Sequence, residues 1–138
     1  MITFKKVKLA ATLFTIGALG SGIAFGADIK VTLSGANEVP PVTTSASGSG
    51  TITVSDDGAV SGSVTTKGVQ GTAAHIHLGA AGNNGPVIVP LTKDGDTYTA
   101  PAGAKLNADQ LKACKAGDLY VNVHSEANKG GEIRGQLK

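Results

Sequence analysis

Short segments of alternating apolar and polar residues, separated by turn signals, run through the chain from residue 27 onward. In residues 29–33, Ile, Val and Leu occupy every second position, as on a half-buried β-strand. Residues 51–54 and 60–64 flank the Asp-Asp-Gly sequence 56–58, a pattern that predicts a β-hairpin. Turn signals recur about every 8 to 12 residues. The pattern predicts an all-β fold, a Greek-key β-sandwich or barrel of about eight strands.

Further strands are predicted in the second half of the chain. Residues 97–99, 119–124 and 132–137 have strand composition, and the apolar run 86–91 reads as a buried strand. In contrast, the Asn-Glu-Val-Pro-Pro sequence 37–41 favours an extended edge or loop, because proline removes hydrogen-bond donors from a sheet.

One short helix is predicted after residue 106. Asn107 can cap its N-terminus, with Gln110 three residues later completing a capping box, and Gly117 can end it. Leu106, Leu111 and either Ala113 or Cys114 would form its inner face.

The first 26 residues have the composition of a signal peptide. Three lysines precede an apolar run over residues 9–25, and Ala24 and Gly26 provide small residues for cleavage after residue 26. We therefore expect a signal peptide over 1–26, a domain over 27–138, and a periplasmic or secreted product without a membrane segment. An uncleaved membrane anchor is the disfavoured alternative.

The net charge and the few sulfur-containing residues limit the partners and ligands that the domain can have. Removing the three leader lysines leaves nine basic and ten acidic residues, so the formal net charge changes from +2 to −1. We do not expect a nucleic-acid partner, because a domain with this charge lacks the excess of basic residues that binds phosphates. Cys114 is the only cysteine, so an internal disulfide is excluded, and Met1 is the only methionine, so the mature domain has no thioether ligand.

All three histidines occupy predicted strands. His75 and His77 alternate with apolar residues in 74–78, and His124 ends the strand 120–124. Successive side chains of a strand point to opposite faces, so the apolar neighbours face the core and all three histidine rings lie on the outer face. Positions i and i+2 lie about 6.5–7 Å apart along a strand, so a twisted or bulged strand lets both rings reach one ion. The pattern predicts a three-histidine metal site, and the alternative is three polar positions on a solvated strand face.

Imidazole ligands without thiolate or thioether favour copper, with zinc as the second choice. A fourth ligand could be water or the carboxylate of Glu126 or Glu132. A blue-copper site is a poor fit, because Cys114 falls in the predicted helix and no methionine is available as an axial ligand.

Several motifs together resemble the chordin (CHRD) domain. They are Leu-Ser-Gly-Ala-Asn-Glu-Val-Pro-Pro at 33–41, the segment 74–87 that begins Ala-His-Ile-His-Leu-Gly, Gly-Asp-Leu-Tyr-Val-Asn-Val-His at 117–124, and Gly-Glu-Ile-Arg-Gly-Gln-Leu at 131–137. The resemblance implies an exported domain. The family is named after extracellular antagonists that bind growth factors, so the resemblance also implies a non-enzymatic module that holds a protein partner.

The histidine pattern is also similar to the copper ligands of copper–zinc superoxide dismutases. That similarity implies copper ligation by His75, His77 and His124, and an anion-guiding position for Arg134. No histidine follows in the loop after His77, so the zinc ligands of those enzymes are missing. Superoxide chemistry is therefore an extension of the copper hypothesis, and the chain is expected to be a binding protein before an enzyme.

Three further expectations concern neighbours of the site and assembly. Glu38 could orient a histidine N–H or tie down its loop, and Asn122 shares the outward parity of His124. Arg134 next to Glu132 reads as an ion-pair partner in the plainer interpretation. A homodimer could form at an exposed sheet edge.

Overall fold

The computed structural model describes residues 26–138, so the predicted signal peptide lies outside the described part apart from Gly26. The described chain contains eight β-strands, a 3-10 helix over Gly35–Asn37 and one α-helix, α1, over Ala108–Lys115. The strands are β1 (Ala27–Ser34), β2 (Ser47–Val54), β3 (Val60–Lys67), β4 (Gly71–Leu78), β5 (Val87–Asp94), β6 (Thr97–Thr99), β7 (Leu119–Ser125) and β8 (Ile133–Leu137).

The strands close into an antiparallel barrel in the order β1-β2-β3-β6-β5-β4-β7-β8. β3 pairs with β6 and β4 pairs with β7, so the connections β3–β4 and β6–β7 cross the barrel ends as Greek-key connections do. The predicted all-β Greek-key fold with eight strands and one short helix is confirmed, and of the two architectures considered it is the barrel.

Closure of the barrel bears on the predicted homodimer at an exposed sheet edge. A closed barrel has no strand at a sheet edge, and β8 returns to β1 through the pair Ser34 and Arg134. The strands of residues 27–137 therefore give no support to a homodimer at an exposed sheet edge, which stays a prediction.

Local sequence signals explain the hairpins and the helix. Gly58 adopts φ +92° in the β2–β3 turn, and Gly95 adopts φ +60° in the β5–β6 turn, conformations that favour glycine. Asn107 accepts a hydrogen bond from the Gln110 backbone N–H, and the Gln110 side chain bonds back to the Asn107 N–H. The predicted hairpin and capping box are both confirmed.

The barrel interior is filled by alternate residues of the strands. The most deeply buried include Leu33, Ile52, Val64, Ile76, Val121, Val123, Ile133 and Leu137. The expectation that 86–91 forms a wholly buried strand is wrong. Val87 is 48% exposed while Val89 and Leu91 are buried, because only one face of β5 meets the core.

Long loops cover the outer face of the barrel where β4, β7 and β8 meet. Asn84 Nδ2 donates to the Val39 carbonyl across 2.9 Å and so joins two of these loops. Gln136 Nε2 donates to the Gly79 carbonyl across 2.8 Å, and the Thr44 hydroxyl donates to the Glu132 carboxylate across 2.8 Å. Outward-facing residues of this region are therefore buried under loops, which is what positions the candidate site. Within residues 26–138 no helix is long and apolar enough to cross a membrane.

Candidate metal centre

The three histidines converge on this covered outer face. β4 and β7 are hydrogen-bonded neighbours, with His75 opposite Asn122 and Ala73 opposite His124. One ligand atom from each of His75, His77 and His124 lies within 4.8 Å of the others, and the group can hold a metal ion. A register shift between Ile76 and His77 on the β5 side supplies the irregularity expected for convergence of an i, i+2 pair. The predicted juxtaposition of the two strands is confirmed.

Backbone carbonyls determine which ring nitrogens face the centre. His77 Nδ1 lies 2.9 Å from the Gly85 carbonyl oxygen, and His124 Nδ1 lies 2.8 Å from the Lys129 carbonyl oxygen. A carbonyl only accepts, so both Nδ1 atoms carry the proton and both Nε2 atoms present lone pairs. The Nε2 of His77 is buried and has no hydrogen-bond partner in the described part of the chain.

The third nitrogen of the group comes from His75. His75 Nδ1 lies 3.0 Å from His124 Nε2. Because His124 Nε2 is the unprotonated nitrogen, His75 Nδ1–H donates to it, and a metal ion bound between the two nitrogens would replace that proton. Two nitrogens that each bind one ion at about 2.0 Å are separated by about 3 Å when the angle at the ion is close to 95°. The group as a whole is wider: its three ligand atoms lie within 4.8 Å of one another, whereas nitrogens bound to one ion at about 2.0 Å are at most about 4 Å apart, so the rings close in when an ion binds. A cation would also stabilise the buried lone pair of His77 Nε2, which lacks a donor.

The environment of His75 and His77 favours their neutral forms. Burial lowers the pKa of His75, and the neighbouring His124 and His77 lower it further. Burial also lowers the pKa of His77, although its hydrogen bond to the Gly85 carbonyl opposes this. Neutral imidazole is the form that binds metals, so the site is prepared for ligation at neutral pH.

Tyr120 supports His77 from one side, a role that the sequence analysis missed. The two rings stack at 4.7 Å between centroids with planes 4° apart. The Gly85 N–H donates to the Tyr120 hydroxyl across 3.0 Å, so Tyr120 and His77 hold the same loop residue. The parity of β7 could have revealed it, because Tyr120 shares the outward face of Asn122 and His124.

Arg134 covers the opposite face of Tyr120. Its guanidinium carbon lies 3.4 Å from the Tyr120 ring centroid, and the side chain is 1% exposed. It donates to Asn84 Oδ1 and to the carbonyls of Ala80 and Asn83, and thereby fixes the loop 79–86. The predicted ion pair with Glu132 is wrong, since the only salt bridge within residues 26–138 joins Lys129 and Glu126.

The two carboxylates considered as a fourth ligand lie outside the histidine group. Glu132 accepts hydrogen bonds from Ser125, Thr44 and Asn128, with the Ser125 bond the main cause of its lowered pKa. Glu126 is exposed and lies 3.9 Å from Lys129. No carboxylate of the described chain belongs to the group, which leaves water as the candidate fourth ligand.

Glu38 and Asn122 are both buried beside the centre. The Nδ1–H protons of His77 and His124 go to backbone carbonyls, so Glu38 does not orient them. Instead the Glu38 carboxyl and the Asn122 amide approach the same point next to the Cα of Gly131.

Comparison with known proteins identifies the family. The CHRD domain profile matches residues 29–137, which includes every strand and all three histidines. CHRD domains occur in extracellular proteins. No curated protein and no solved structure matches the chain. The match spans more than half of the sequence, and the chain belongs to the CHRD domain family.

Proposed function

We propose that this protein is an exported copper-binding protein that holds one copper ion through His75 Nδ1, His77 Nε2 and His124 Nε2 and acts in copper handling or redox chemistry. The observation that carries the proposal is the buried His77 Nε2, which has no partner within residues 26–138 and lies in a group with two other imidazoles. Leaving such an acceptor unpaired costs about 1–3 kcal/mol, a cost that a cation removes.

The donor set favours copper over other divalent ions. Three imidazole nitrogens without sulfur suit Cu(II) and Zn(II), and the general affinity order places Cu(II) above Zn(II). A bound copper ion would supply one-electron redox chemistry and an exchangeable water position. Hard cations such as Mg²⁺ and Ca²⁺ prefer oxygen ligands, and the histidine group contains no carboxylate among the described residues.

The protein's own residues hold the ligands and exclude water. The carbonyls of Gly85 and Lys129 fix the tautomers of His77 and His124, as hydrogen bonds to ligand rings do in metal sites. Tyr120 restricts rotation of the His77 ring, and Arg134 secures both Tyr120 and the loop that carries Gly85. The tautomers of His77 and His124 and the plane of the His77 ring are thus set before a metal arrives.

Metal stoichiometry tests the proposal. The purified protein is stripped with a chelator, reloaded with Cu(II), desalted and analysed for copper per chain. We expect about one copper per wild-type chain and less than about 0.1 in the double variant His75→Ala/His77→Ala. Asp94→Asn, which alters an exposed carboxylate of the β5–β6 hairpin, is the matched control and should bind as the wild type does.

A non-enzymatic interaction module is the second candidate, because membership of the CHRD family points to extracellular domains. The closed barrel would engage a partner through loops or a barrel face, since no described strand edge is free. If wild type and the double histidine variant retain equally little copper, this candidate replaces the first. A dismutation assay on copper-loaded protein, compared with free copper at the same concentration, decides the enzymatic extension.

A further inference from the structure

Two buried acceptor atoms beside the candidate metal centre lack hydrogen-bond partners. Within residues 26–138 they are His77 Nε2 and Asn122 Oδ1, and the two residues are 7% and 3% exposed. The third atom of this kind, Glu38 Oε1, lies on the Nδ2 side of the same amide. Buried acceptors normally find a donor. Two unpartnered acceptors at one place therefore indicate that something bound there supplies positive charge.

Asn122 lies on the same face of the barrel as the three histidines. It is opposite His75 in the β4–β7 ladder and diagonal to His77. On its own strand, His124 follows two positions later and points to the same side. Directly opposite side chains have Cβ atoms about 4.5–5.5 Å apart, and diagonal neighbours stay within reach of aromatic rings. The Asn122 side chain therefore emerges among the three imidazoles.

Acceptors on one side of Asn122 set the orientation of its amide. Nδ2 donates to the Gly130 carbonyl at 3.5 Å. A Cβ built on Gly131 would lie 2.5 Å from Nδ2 and 2.7 Å and 2.9 Å from the two Glu38 carboxyl oxygens, so Nδ2 faces that carboxyl. Burial raises the pKa of Glu38 to about 7, whereas the Arg134 guanidinium and a hydrogen bond from Asn122 lower it, as a donor at Nδ2 does. With Nδ2 on this side, Oδ1 points the other way.

Oδ1 faces the ring of His77. Burial has the largest effect on the pKa of His77 and lowers it, whereas hydrogen bonds to the Gly85 carbonyl and to Asn122 raise it. An acceptor raises a histidine pKa because it favours the protonated ring, so the Asn122 atom in contact is Oδ1. The Gly85 carbonyl takes the proton of His77 Nδ1, so the ring nitrogen that faces Oδ1 is Nε2. In the neutral ring two lone pairs then meet, and one cation can accept both.

We propose that Asn122 Oδ1 is an oxygen ligand of the metal ion held by His75, His77 and His124. The inference rests on the proposed function and adds a ligand to its site. Cu(II) accepts mixed nitrogen and oxygen ligands, and the amide oxygen binds beside the position left for water. The Glu38 carboxyl is a positioning group, because it holds the amide by Nδ2 and so aims Oδ1 at the histidine group.

An oxygen ligand distinguishes the two oxidation states of copper. Cu(II) binds amide oxygen, whereas the softer Cu(I) is held by the three imidazoles alone. Loss of the Asn122 oxygen should therefore weaken Cu(II) binding about tenfold, the lower end of what is lost when groups around a metal are removed, and leave Cu(I) binding unchanged. A tenfold change confined to one oxidation state shifts the potential of a one-electron couple by about 59 mV.

Pulsed electron–nuclear double resonance of the Cu(II)-loaded protein tests the bond directly. The protein is labelled with ¹³C at the side-chain carbonyl of its asparagines, and wild type is compared with Asn122→Leu and Asn83→Leu. Leucine has a branched side chain of similar shape without the oxygen, and Asn83 is an exposed residue that provides the matched control. We expect a strong ¹³C coupling in wild type and Asn83→Leu that is lost in Asn122→Leu. A Cu(II)-loaded wild type without this coupling overturns the inference.

Affinities for the two oxidation states separate ligation from packing. Competition with chelators gives the Cu(II) affinity and, under a reductant without oxygen, the Cu(I) affinity of the same three proteins. Asn122→Leu should bind Cu(II) about tenfold more weakly, keep its Cu(I) affinity and have a midpoint potential about 59 mV higher than wild type. Equal losses for both ions in the folded variant indicate a merely structural role, and no loss for either excludes ligation. If Asn122→Leu does not fold, the wild-type ¹³C coupling alone decides.

The spectra also separate this inference from the proposed function. Copper retained with imidazole nitrogen coupling but without ¹³C coupling overturns Asn122 as a ligand and leaves the three-histidine site intact. A wild type that retains no copper overturns the proposed function, and this inference with it.

Discussion

The stack of Arg134 on Tyr120 should contribute measurable coupling energy to the fold. Single variants cannot isolate it, because removing Arg134 also removes its hydrogen bonds to loop 79–86 and the cost of burying its charge. A double-mutant cycle of Arg134→Met, Tyr120→Leu and the combined variant cancels these losses, because they are the same whether residue 120 is Tyr or Leu, and leaves the coupling between the two side chains.

The expected magnitude follows from the contact. The guanidinium carbon is 3.4 Å from the ring centroid, and the two side chains are 1% and 2% exposed. A desolvated cation–π pair is worth about 2 kcal/mol, against about 0.5–1 kcal/mol at an exposed site. We therefore expect a coupling free energy of about 1–2 kcal/mol from urea unfolding of the metal-free proteins at pH 7. A coupling below about 0.5 kcal/mol would refute the claim that this stack holds the outer face together.

Three further predictions concern stability without metal. The raised pKa of Glu38, from 4.5 to about 7, makes its contribution to the unfolding free energy full below pH 4.5 and lost as pH rises through 7. In urea unfolding, the free energy of unfolding of Glu38→Gln relative to wild type should therefore rise by about 2–3 kcal/mol between pH 4.5 and pH 8. A difference that stays constant over this range would contradict the prediction. The lowered pKa values of His75 and His77 have the opposite consequence. Their contribution to the unfolding free energy is present above pH 6.5 and is lost as pH falls through the folded-state pKa values. Urea unfolding of His75→Ala/His77→Ala should therefore lack this part of the acid dependence. Gly131→Ala should lower the thermal midpoint and cost about 2 kcal/mol or more, because its φ is +126° and its Cβ would meet Glu38 and Asn122, whereas Gly130→Ala, with open space at that point, should unfold within about 0.5–1 kcal/mol of wild type.

The strands and the helix were predictable because their signals are local. Alternation in 29–33, the turn 56–58 and the capping pair Asn107 and Gln110 each specify structure through neighbouring residues. The histidine group was predictable in part, since parity places all three rings outside the barrel. That β4 lies beside β7 required the assumption that two distant strands pair.

What the sequence could not indicate depends on loops packing over the barrel. Nothing in the alternation of β8 shows that Arg134 is buried, because its environment comes from loop 79–86, and the contacts to Asn84 and Ala80 span 50 and 54 positions along the chain. Glu38 likewise lies in a segment without periodicity, so its approach to Asn122 follows only from the tertiary fold. Tyr120 has the parity of the histidines, but its stacking on His77 depends on ring orientation.

Copper ligation by the three histidines is tested by an electron paramagnetic resonance spectrum of the protein loaded with one equivalent of Cu(II). We expect nitrogen hyperfine coupling from three imidazoles in wild type, and a changed spectrum with fewer coupled nitrogens in His77→Ala. Identical spectra from wild type and His77→Ala, or a wild-type spectrum without imidazole coupling, would contradict copper ligation by this histidine group.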